Sequence, residues 1–140
     1  MANWLFKSEP STWSWKDQKE KGDAGEEWDG VRNYQARNFM RDMKLGDFGF
    51  FYHSQSEKAI VGIVQVCREC HPDSTSQDAR WECVDIKAVQ ELTRPVTLAQ
   101  VKADPTLSEM PLANKPRLSV QPVSDAEWAV ILHLAKTKMP

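Results

Sequence analysis

Short apolar runs separated by polar turn sequences recur along the chain, and they predict several strands with a few short helices between them. The predicted strands are residues 4–7, 48–52, 59–66, 81–89 and 117–123. The predicted helices are residues 14–21, a helix around Arg37 that stops at Gly46-Asp47, a short helix from Thr97 that ends before Pro105, and a last helix from Ser124. Because the strands outweigh the helices and no βαβ rhythm occurs, the sequence predicts an α+β fold built on a small mixed or closed β-sheet.

Two of these helices have a clear apolar face. Around Arg37, the positions predicted to pack inward are Ala36, Phe39, Met40 and Met43, and the polar positions on the adjoining side are Asn33, Arg37, Arg41 and Lys44. In the last helix, a capping box of Ser124 and Glu127 precedes the apolar stripe of Trp128, Ile131, Leu132 and Ala135. We expect both helices to pack on the sheet through these faces.

Prolines and polar tracts mark where the strands stop. Pro10 ends the first strand, and the tract from His71 to Asp78 interrupts the sheet. Residues 104–117 carry three prolines and are predicted to form an irregular connection. Pro122 restricts the last strand to an edge or a bulge because proline has no N–H to donate to a neighbouring strand.

Residues 28–41 combine a large aromatic side chain, a turn glycine, planar amides and three arginines. Arginine binds phosphate through a bidentate fork, an amide can pair with the edge of a base, and an indole offers a face for stacking. The Asp29-Gly30 turn lets a ligand approach the backbone, and the N–H groups at a helix start attract anions. The stretch therefore favours a nucleotide-like ligand, against the common alternative of a solvated helix face.

Length and charge limit what such a site can be. At 140 residues the chain has the usual length of one domain, and we expect residues 1–140 to form a single one. The formal net charge is −2 and the pI is about 5.9. Avid, non-specific binding of duplex DNA favours a basic domain, so any nucleic-acid site on this chain must be local.

The sequence also indicates a compartment. It begins without a signal-peptide pattern, and no apolar run approaches the roughly 20 residues that span a bilayer. We therefore expect a cytoplasmic protein with no membrane partner. We also expect it to be a monomer. Cysteines stay reduced in that compartment, and their odd number, three, argues further against a disulfide framework.

Cys67, Cys70 and His71 form a C-x-x-C-H sequence, which is the pattern of covalent c-type haem attachment. That attachment needs an exported chain, which nothing in the sequence supports. Zinc bound by Cys67, Cys70, His71 and Cys83 is permitted by ligand type, but one close pair without a matching second pair is a weak signal. The default interpretation is a set of strand-end thiols, so we predict neither a metal nor a cofactor.

Signals for catalysis are sparse. His53 and Ser54 are neighbours whose side chains would point to opposite faces of a strand, which disfavours a nucleophile pair. A pair of Cys83 and His53 stays open because the sequence does not place the two relative to each other. Glu9 is the best single candidate for acid–base chemistry, although a carboxylate that pairs with arginine or caps a helix is the commoner outcome.

Three predicted strand ends carry polar groups, in the segments Lys7-Ser8-Glu9-Pro10, Tyr52-His53-Ser54 and Arg117-Leu118-Ser119. Strand ends meet at the rim of a sheet, where binding pockets form. Together with Trp28 and Asn33, these groups are suited to enclose a planar heterocycle.

The same segments resemble the EVE domain family, part of the PUA-like group that includes the YTH and ASCH domains. The resemblance extends over nearly the whole chain, through residues 4–10, 28–38, 46–47, 52–54 and 116–120. It implies a PUA-like small mixed β-barrel with flanking short helices. It also implies binding of modified nucleic acid, with methylated or hydroxymethylated cytosine in DNA as the leading ligand and a modified RNA base as a further candidate.

Carried over residue by residue, the resemblance implies a base pocket formed by Lys7, Ser8, Glu9, Trp28, Arg32, Asn33, His53, Ser54 and Arg117. A flipped base would lie against Trp28, and its edge would form hydrogen bonds with Ser8, Asn33 and Ser54. Arg37 and Arg41 would hold the flanking phosphates.

The sequence therefore predicts a non-catalytic domain that holds a flipped, modified base of DNA or RNA. One alternative is an enzyme that acts on a nucleobase or nucleotide, with Glu9 or His53 in proton transfer. A second alternative is a domain that binds a small molecule or another protein.

Overall fold

The computed structural model describes residues 2–55 and 57–139. The strands are β1 (Asn3–Ser8), β2 (Glu26–Glu27), β3 (Phe48–His53), β4 (Ala59–Pro72), β5 (Glu82–Thr97) and β6 (Val120–Val123). The α-helices are α1 (Trp15–Glu20), α2 (Tyr34–Asp42), α3 (Leu98–Ala103), α4 (Pro111–Asn114) and α5 (Asp125–Leu134), and a 3₁₀ helix spans Gly22–Ala24. The α+β class is confirmed. Within the described ranges, every helix is too short or too polar to cross a membrane.

The six strands form one sheet in the order β2-β5-β4-β3-β1-β6. The pair β1–β3 is parallel and the other pairs are antiparallel, so the predicted mixed sheet is confirmed. The predicted closed barrel is wrong, because in the described part of the chain the edge strands β2 and β6 do not pair with each other. Closure needs two edges that can share a hydrogen-bond ladder. Here one edge strand has two residues and the other has four, including Pro122, which lacks an N–H.

The central hairpin is longer than its apolar pattern predicted. β4 and β5 have 14 and 16 residues, whereas the apolar runs covered only 59–66 and 81–89. The extension of β4 is mostly polar, and that of β5 has only Leu92 and Val96 buried among polar or exposed residues, so neither forms an apolar run that the pattern reveals. Register shifts between Ile60 and Gly62 and at three further places along the hairpin bend the two strands. The predicted interruption at 71–78 begins two residues later, after Pro72.

The last strand and the connection before it also differ in part from prediction. Only Val120–Val123 forms a strand, so the predicted strand from 117 begins too early. Pro122 lies opposite Trp4 on an edge strand, which confirms its predicted place. The connection 104–117, predicted to be irregular, contains the single-turn helix α4 with Pro111 at its start.

Apolar side chains cover both faces of the sheet. Along β1, Trp4 and Phe6 belong to one core cluster, and Leu5 belongs to the other. This is the alternation that a strand imposes. Helices α1 and α2 pack on the first face through Trp15 and Met40. Helices α3, α4 and α5 pack on the second face.

The predicted helix faces are largely confirmed. The buried positions are Ala36, Met40 and Met43 around α2, and Trp128, Ile131 and Ala135 around α5. Phe39 and Leu132 are only partly buried. The capping box of Ser124 and Glu127 is present at the start of α5.

Candidate nucleic-acid interface

A cavity of about 590 Å³ lies where the end of β1, the segment 26–33 and the residues before β6 meet. We call it the rim cavity. It is lined by Lys7, Ser8, Glu9, Thr12, Trp13, Glu26, Glu27, Trp28, Asp29, Gly30, Val31, Arg32, Asn33, Arg117 and Ser119. Its volume falls in the range of roughly 300–1,000 Å³ typical of small-molecule sites, which is ample for one nucleobase.

Most of the predicted pocket residues line this cavity, namely Lys7, Ser8, Glu9, Trp28, Arg32, Asn33 and Arg117. Two do not: His53 ends β3 and is paired with Ser8, and Ser54 follows it. The backbone N–H and the hydroxyl of Ser54 both donate to the Ser8 carbonyl, at 2.8 and 3.2 Å. The parallel pairing of β1 and β3 brings these strand ends side by side, so sequence reasoning placed them near the site but could not tell which end faces it.

His53 has a structural task. Its Nε2 accepts the backbone N–H of Trp15 at 2.9 Å, so Nδ1 carries the proton and donates to Glu57 Oε2 at 3.0 Å. His53 is 7 % exposed, and both ring nitrogens have partners. His53 therefore fixes the start of α1 and cannot transfer a proton without losing one of these hydrogen bonds.

Trp28 forms the floor of the rim cavity and also belongs to the core. The residue is 7 % exposed, and its indole makes edge-on contacts with Phe6 and Phe51, at ring-centroid distances of 5.3 and 5.7 Å. Its backbone N–H donates to the Val84 carbonyl at 2.8 Å. A base placed in the cavity meets only a small open part of this ring.

Trp13 is a second aromatic wall that sequence reasoning missed. Its side chain is half-buried, and its Nε1–H donates to Gln18 Oε1 at 2.9 Å. A turn closed by the Trp13 N–H to the Glu9 carbonyl returns the chain over the end of β1. The signal available in the sequence was the turn Ser8-Glu9-Pro10, since the residues that follow a tight turn at a strand end lie next to that end.

Ser8 and Asn33 each keep one hydrogen-bonding function for a ligand, because the other is used within the protein. The Ser8 hydroxyl donates to the Trp13 carbonyl, so its oxygen is left to accept. The amide oxygen of Asn33 accepts the Ala36 N–H at 2.9 Å and caps α2, so its NH₂ group is left to donate. One acceptor and one donor match the edge of cytosine, which carries an amino group beside acceptor atoms.

The segment that lines one side of the cavity is tied down by Asp73. This carboxylate is 2 % exposed and accepts the Gly30 N–H at 2.9 Å and the Arg32 guanidinium at 3.1 Å. It also accepts the backbone N–H and hydroxyl of Thr75. Burial acts to raise the pKa of Asp73, but these hydrogen bonds outweigh it and hold the pKa below its usual range. Asp73 thus shapes the site without lining it.

Charges of both signs surround the rim cavity. The carboxylates are Glu9, Glu26, Glu27 and Asp29, and the cations are Lys7, Arg32 and Arg117. Burial, followed by the nearby Asp73, raises the pKa of Asp29. The Ser74 hydroxyl, which donates to Glu27, lowers the pKa of that carboxylate. Such a lining suits a neutral base with hydrogen-bond donors better than a bare phosphate.

Arg37 and Arg41 lie on α2 outside the cavity lining. Arg37 donates to the Arg80 carbonyl at 2.9 Å and stacks 4.9 Å from the centroid of the Tyr34 ring, so its partners are uncharged. Arg41 forms an ion pair with Glu82 at 2.6 Å. The two predicted phosphate contacts therefore differ, because Glu82 already compensates the charge of Arg41.

The cysteines do not assemble as the zinc interpretation required. In the described part of the chain, the ligand atoms within 4.8 Å of one another belong to Glu27, His71 and Cys83, without Cys67 or Cys70. The thiol of Cys83 lies 3.6 Å from Glu27, and His53 is held elsewhere, so the Cys83–His53 pair is not formed. Burial raises the pKa of Cys83, and burial raises that of Cys70 to about 11. The structure therefore favours protonated strand thiols.

A family model described as EVE domain matches residues 2–134. The chain therefore belongs to the EVE domain family, as the sequence resemblance predicted. Thymocyte nuclear protein 1 of Gallus gallus is 36 % identical in an alignment 169 positions long, which covers 98 % of this chain and 70 % of that protein.

Solved structures agree with this assignment. A protein from Agrobacterium tumefaciens is 54 % identical, with a TM-score of 0.97 over 100 % of this chain and 97 % of that one. The human THYN1 protein, solved in complex with 5-methylcytosine containing DNA, is 34 % identical, with a TM-score of 0.90 over 100 % of both chains. The YTH domain of the Zygosaccharomyces rouxii MRB1 protein shares the fold alone, at 14 % identity and a TM-score of 0.58 over 99 % of this chain and 87 % of that one. This likeness fits a PUA-like fold.

Proposed function

We propose that this chain, acting as one EVE unit, is a non-catalytic reader that holds one flipped, modified base in the rim cavity. Methylated or hydroxymethylated cytosine in DNA is the leading ligand, and a modified RNA base is the second candidate. The observation that carries the proposal is a base-sized cavity in a chain whose 34 % identical relative was solved with 5-methylcytosine DNA.

The lining offers aromatic surface, hydrogen-bonding groups and an aliphatic side chain for a base. Trp13 and Trp28 offer aromatic surface, and the Ser8 oxygen and the Asn33 amino group are directed acceptor and donor. Val31 is the apolar lining residue against which a methyl group can pack. Burying one methyl group contributes about 1 kcal/mol, which corresponds to about a fivefold preference for the methylated base.

The flanking phosphates are assigned to α2. Arg37 is the main contact because its protein partners are uncharged. Arg41 contributes only by exchanging Glu82 for a phosphate. These contacts fix position along the strand and carry no information about the base.

Of the two residues predicted for proton transfer in the enzymatic alternative, Glu9 is the one that lines the rim cavity. Its carboxylate is exposed, whereas His53 lies outside the lining and both of its ring nitrogens form hydrogen bonds. Conversion of a modified base that disappears in Glu9→Gln would favour an enzyme. A reader leaves the oligonucleotide chemically unchanged.

The test is a titration of labelled oligonucleotides followed by anisotropy. The panel contains matched pairs that differ in one cytosine modification, as single and double strands of DNA and RNA. We expect saturable binding, at least a few times tighter for the modified member, with the recovered oligonucleotide unchanged in mass. Equal affinity for both members of every pair contradicts base reading.

A further inference from the structure

A second cavity, of about 300 Å³, lies next to the rim cavity. We call it the lysine cavity, because Lys7, Lys58 and Lys102 line it together with apolar and neutral polar residues. Among the described residues that line it, none is a carboxylate. Three cations without a compensating anion make this a place where an anionic ligand is stabilised.

The linings of the two cavities differ in charge, and each suits a different part of a nucleotide. Four carboxylates and three cations line the rim cavity, so its lining does not favour a phosphate as strongly as one that holds cations alone. The described lining of the lysine cavity is of that second kind. A nucleotide divides in the same manner, into a neutral base with donor groups and an anionic phosphodiester.

The cavities share a wall. Lys7 lines both of them. Ser8 lines the rim cavity and Ser54 lines the lysine cavity, and the two are joined by the hydrogen bonds from Ser54 to the Ser8 carbonyl. The two cavities are therefore neighbours at the end of β1.

The lysines are available to a ligand. Lys58 and Lys102 are exposed, and their ammonium groups form no hydrogen bond or ion pair with another described residue. Lys7 donates to the Pro116 carbonyl at 2.7 Å, and burial lowers its pKa. An anion nearby would favour the charged form of Lys7.

We propose that the lysine cavity binds a backbone phosphate of the same strand whose base occupies the rim cavity. The inference rests on the proposed function and adds to it a second phosphate anchor, separate from Arg37 on α2. It predicts that the charge of this cavity sets affinity but not the preference for a modified base.

The test compares the double variant K58Q/K102Q with the wild type on one matched pair of modified and plain oligonucleotides, over about 50 to 200 mM salt. We expect the plot of log affinity against log salt to become less steep by about 1, the value for one phosphate that the protein no longer neutralises. The ratio of affinities for the modified and plain members should stay unchanged.

The control is K136Q/K138Q, which removes the same charge from two exposed lysines that line neither cavity and lie far along the chain from α2. Its salt slope should equal that of the wild type. A wild-type slope in K58Q/K102Q, or equal slope changes in both variants, overturns the phosphate site. Equal binding of modified and plain oligonucleotides by the wild type overturns base reading instead, and the slope comparison still decides the lysine cavity.

Discussion

Asn33 performs two tasks that one substitution can separate. Its amide oxygen caps α2, and its NH₂ group is free to donate into the rim cavity. Serine caps a helix about as well as asparagine, so Asn33→Ser should change the free energy of unfolding by less than about 0.5 kcal/mol. The lost donor should weaken binding of the modified base by about 1 kcal/mol, or about fivefold. Urea unfolding and anisotropy titrations measure the two effects, and wild-type affinity in Asn33→Ser would remove this residue from the site.

The two tryptophans of the rim cavity should respond differently to truncation. Trp28 is nearly covered by Phe6, Phe51 and its other neighbours, so Trp28→Ala should cost about 3–5 kcal/mol in the free energy of unfolding. Loss of binding in that variant would therefore not isolate stacking. Trp13 is half-buried, and Trp13→Ala should lose affinity for the modified base in a protein that still folds cooperatively. A folded Trp13→Ala variant with wild-type affinity contradicts the aromatic role of Trp13.

At the level of elements, the segment 28–33 depends on a carboxylate from beyond β4. Asp73→Asn loses a charged acceptor for Gly30 and Arg32, and we expect it to cost about 2 kcal/mol in the free energy of unfolding near pH 7. The folded-state pKa of Asp73 is lowered, so its contribution is present above the ordinary aspartate pKa of about 3.9 and is lost as the pH falls through the folded value. The stability difference between wild type and variant should therefore shrink in acid. Urea unfolding at pH 7 and pH 3 measures it, and a difference that does not change with pH contradicts this role.

The elements that the sequence predicted are those with local signals. α2, β3 and the start of α5 follow from apolar periodicity and capping residues within the segment itself. β2 could not be predicted, because its two glutamates form a strand only by pairing with Ile86 and Asp85 of β5. The polar ends of β4 and β5 likewise depend on their mutual pairing. The closed barrel failed for a related reason, since closure is a property of the two edges and not of any one strand.

In the candidate site, too, residues with a local sequence signal could be predicted, and residues placed by distant segments could not. The sequence indicated the end of β1 and the segment 28–33, because strand ends and the match to the family pointed to them. It could not place Glu27, which reaches the cavity through pairing with β5, or exclude His53, whose partners Trp15 and Glu57 lie on other segments.

For the whole molecule, the acidic net charge means that binding must rely on a few local cations. Arg37→Ala should weaken binding about equally for all sequences and reduce the salt slope by about 1. Arg41→Ala should have a smaller effect because Glu82 already compensates its charge. Anisotropy titrations at several salt concentrations compare the two variants. Altered base preference with an unchanged slope in Arg37→Ala would contradict its assignment to phosphate.

The central claim is that a single modified base enters the rim cavity, and the indole N–H signals test it most directly. Among the six tryptophans of the chain, Trp13 and Trp28 line that cavity, whereas Trp128 packs on Phe50 on the other face of the sheet. In a ¹⁵N-edited NMR titration with an oligonucleotide carrying 5-methylcytosine, the signals of Trp13 and Trp28 should shift to saturation while that of Trp128 stays in place. Binding that leaves the Trp13 and Trp28 signals unmoved would contradict the account.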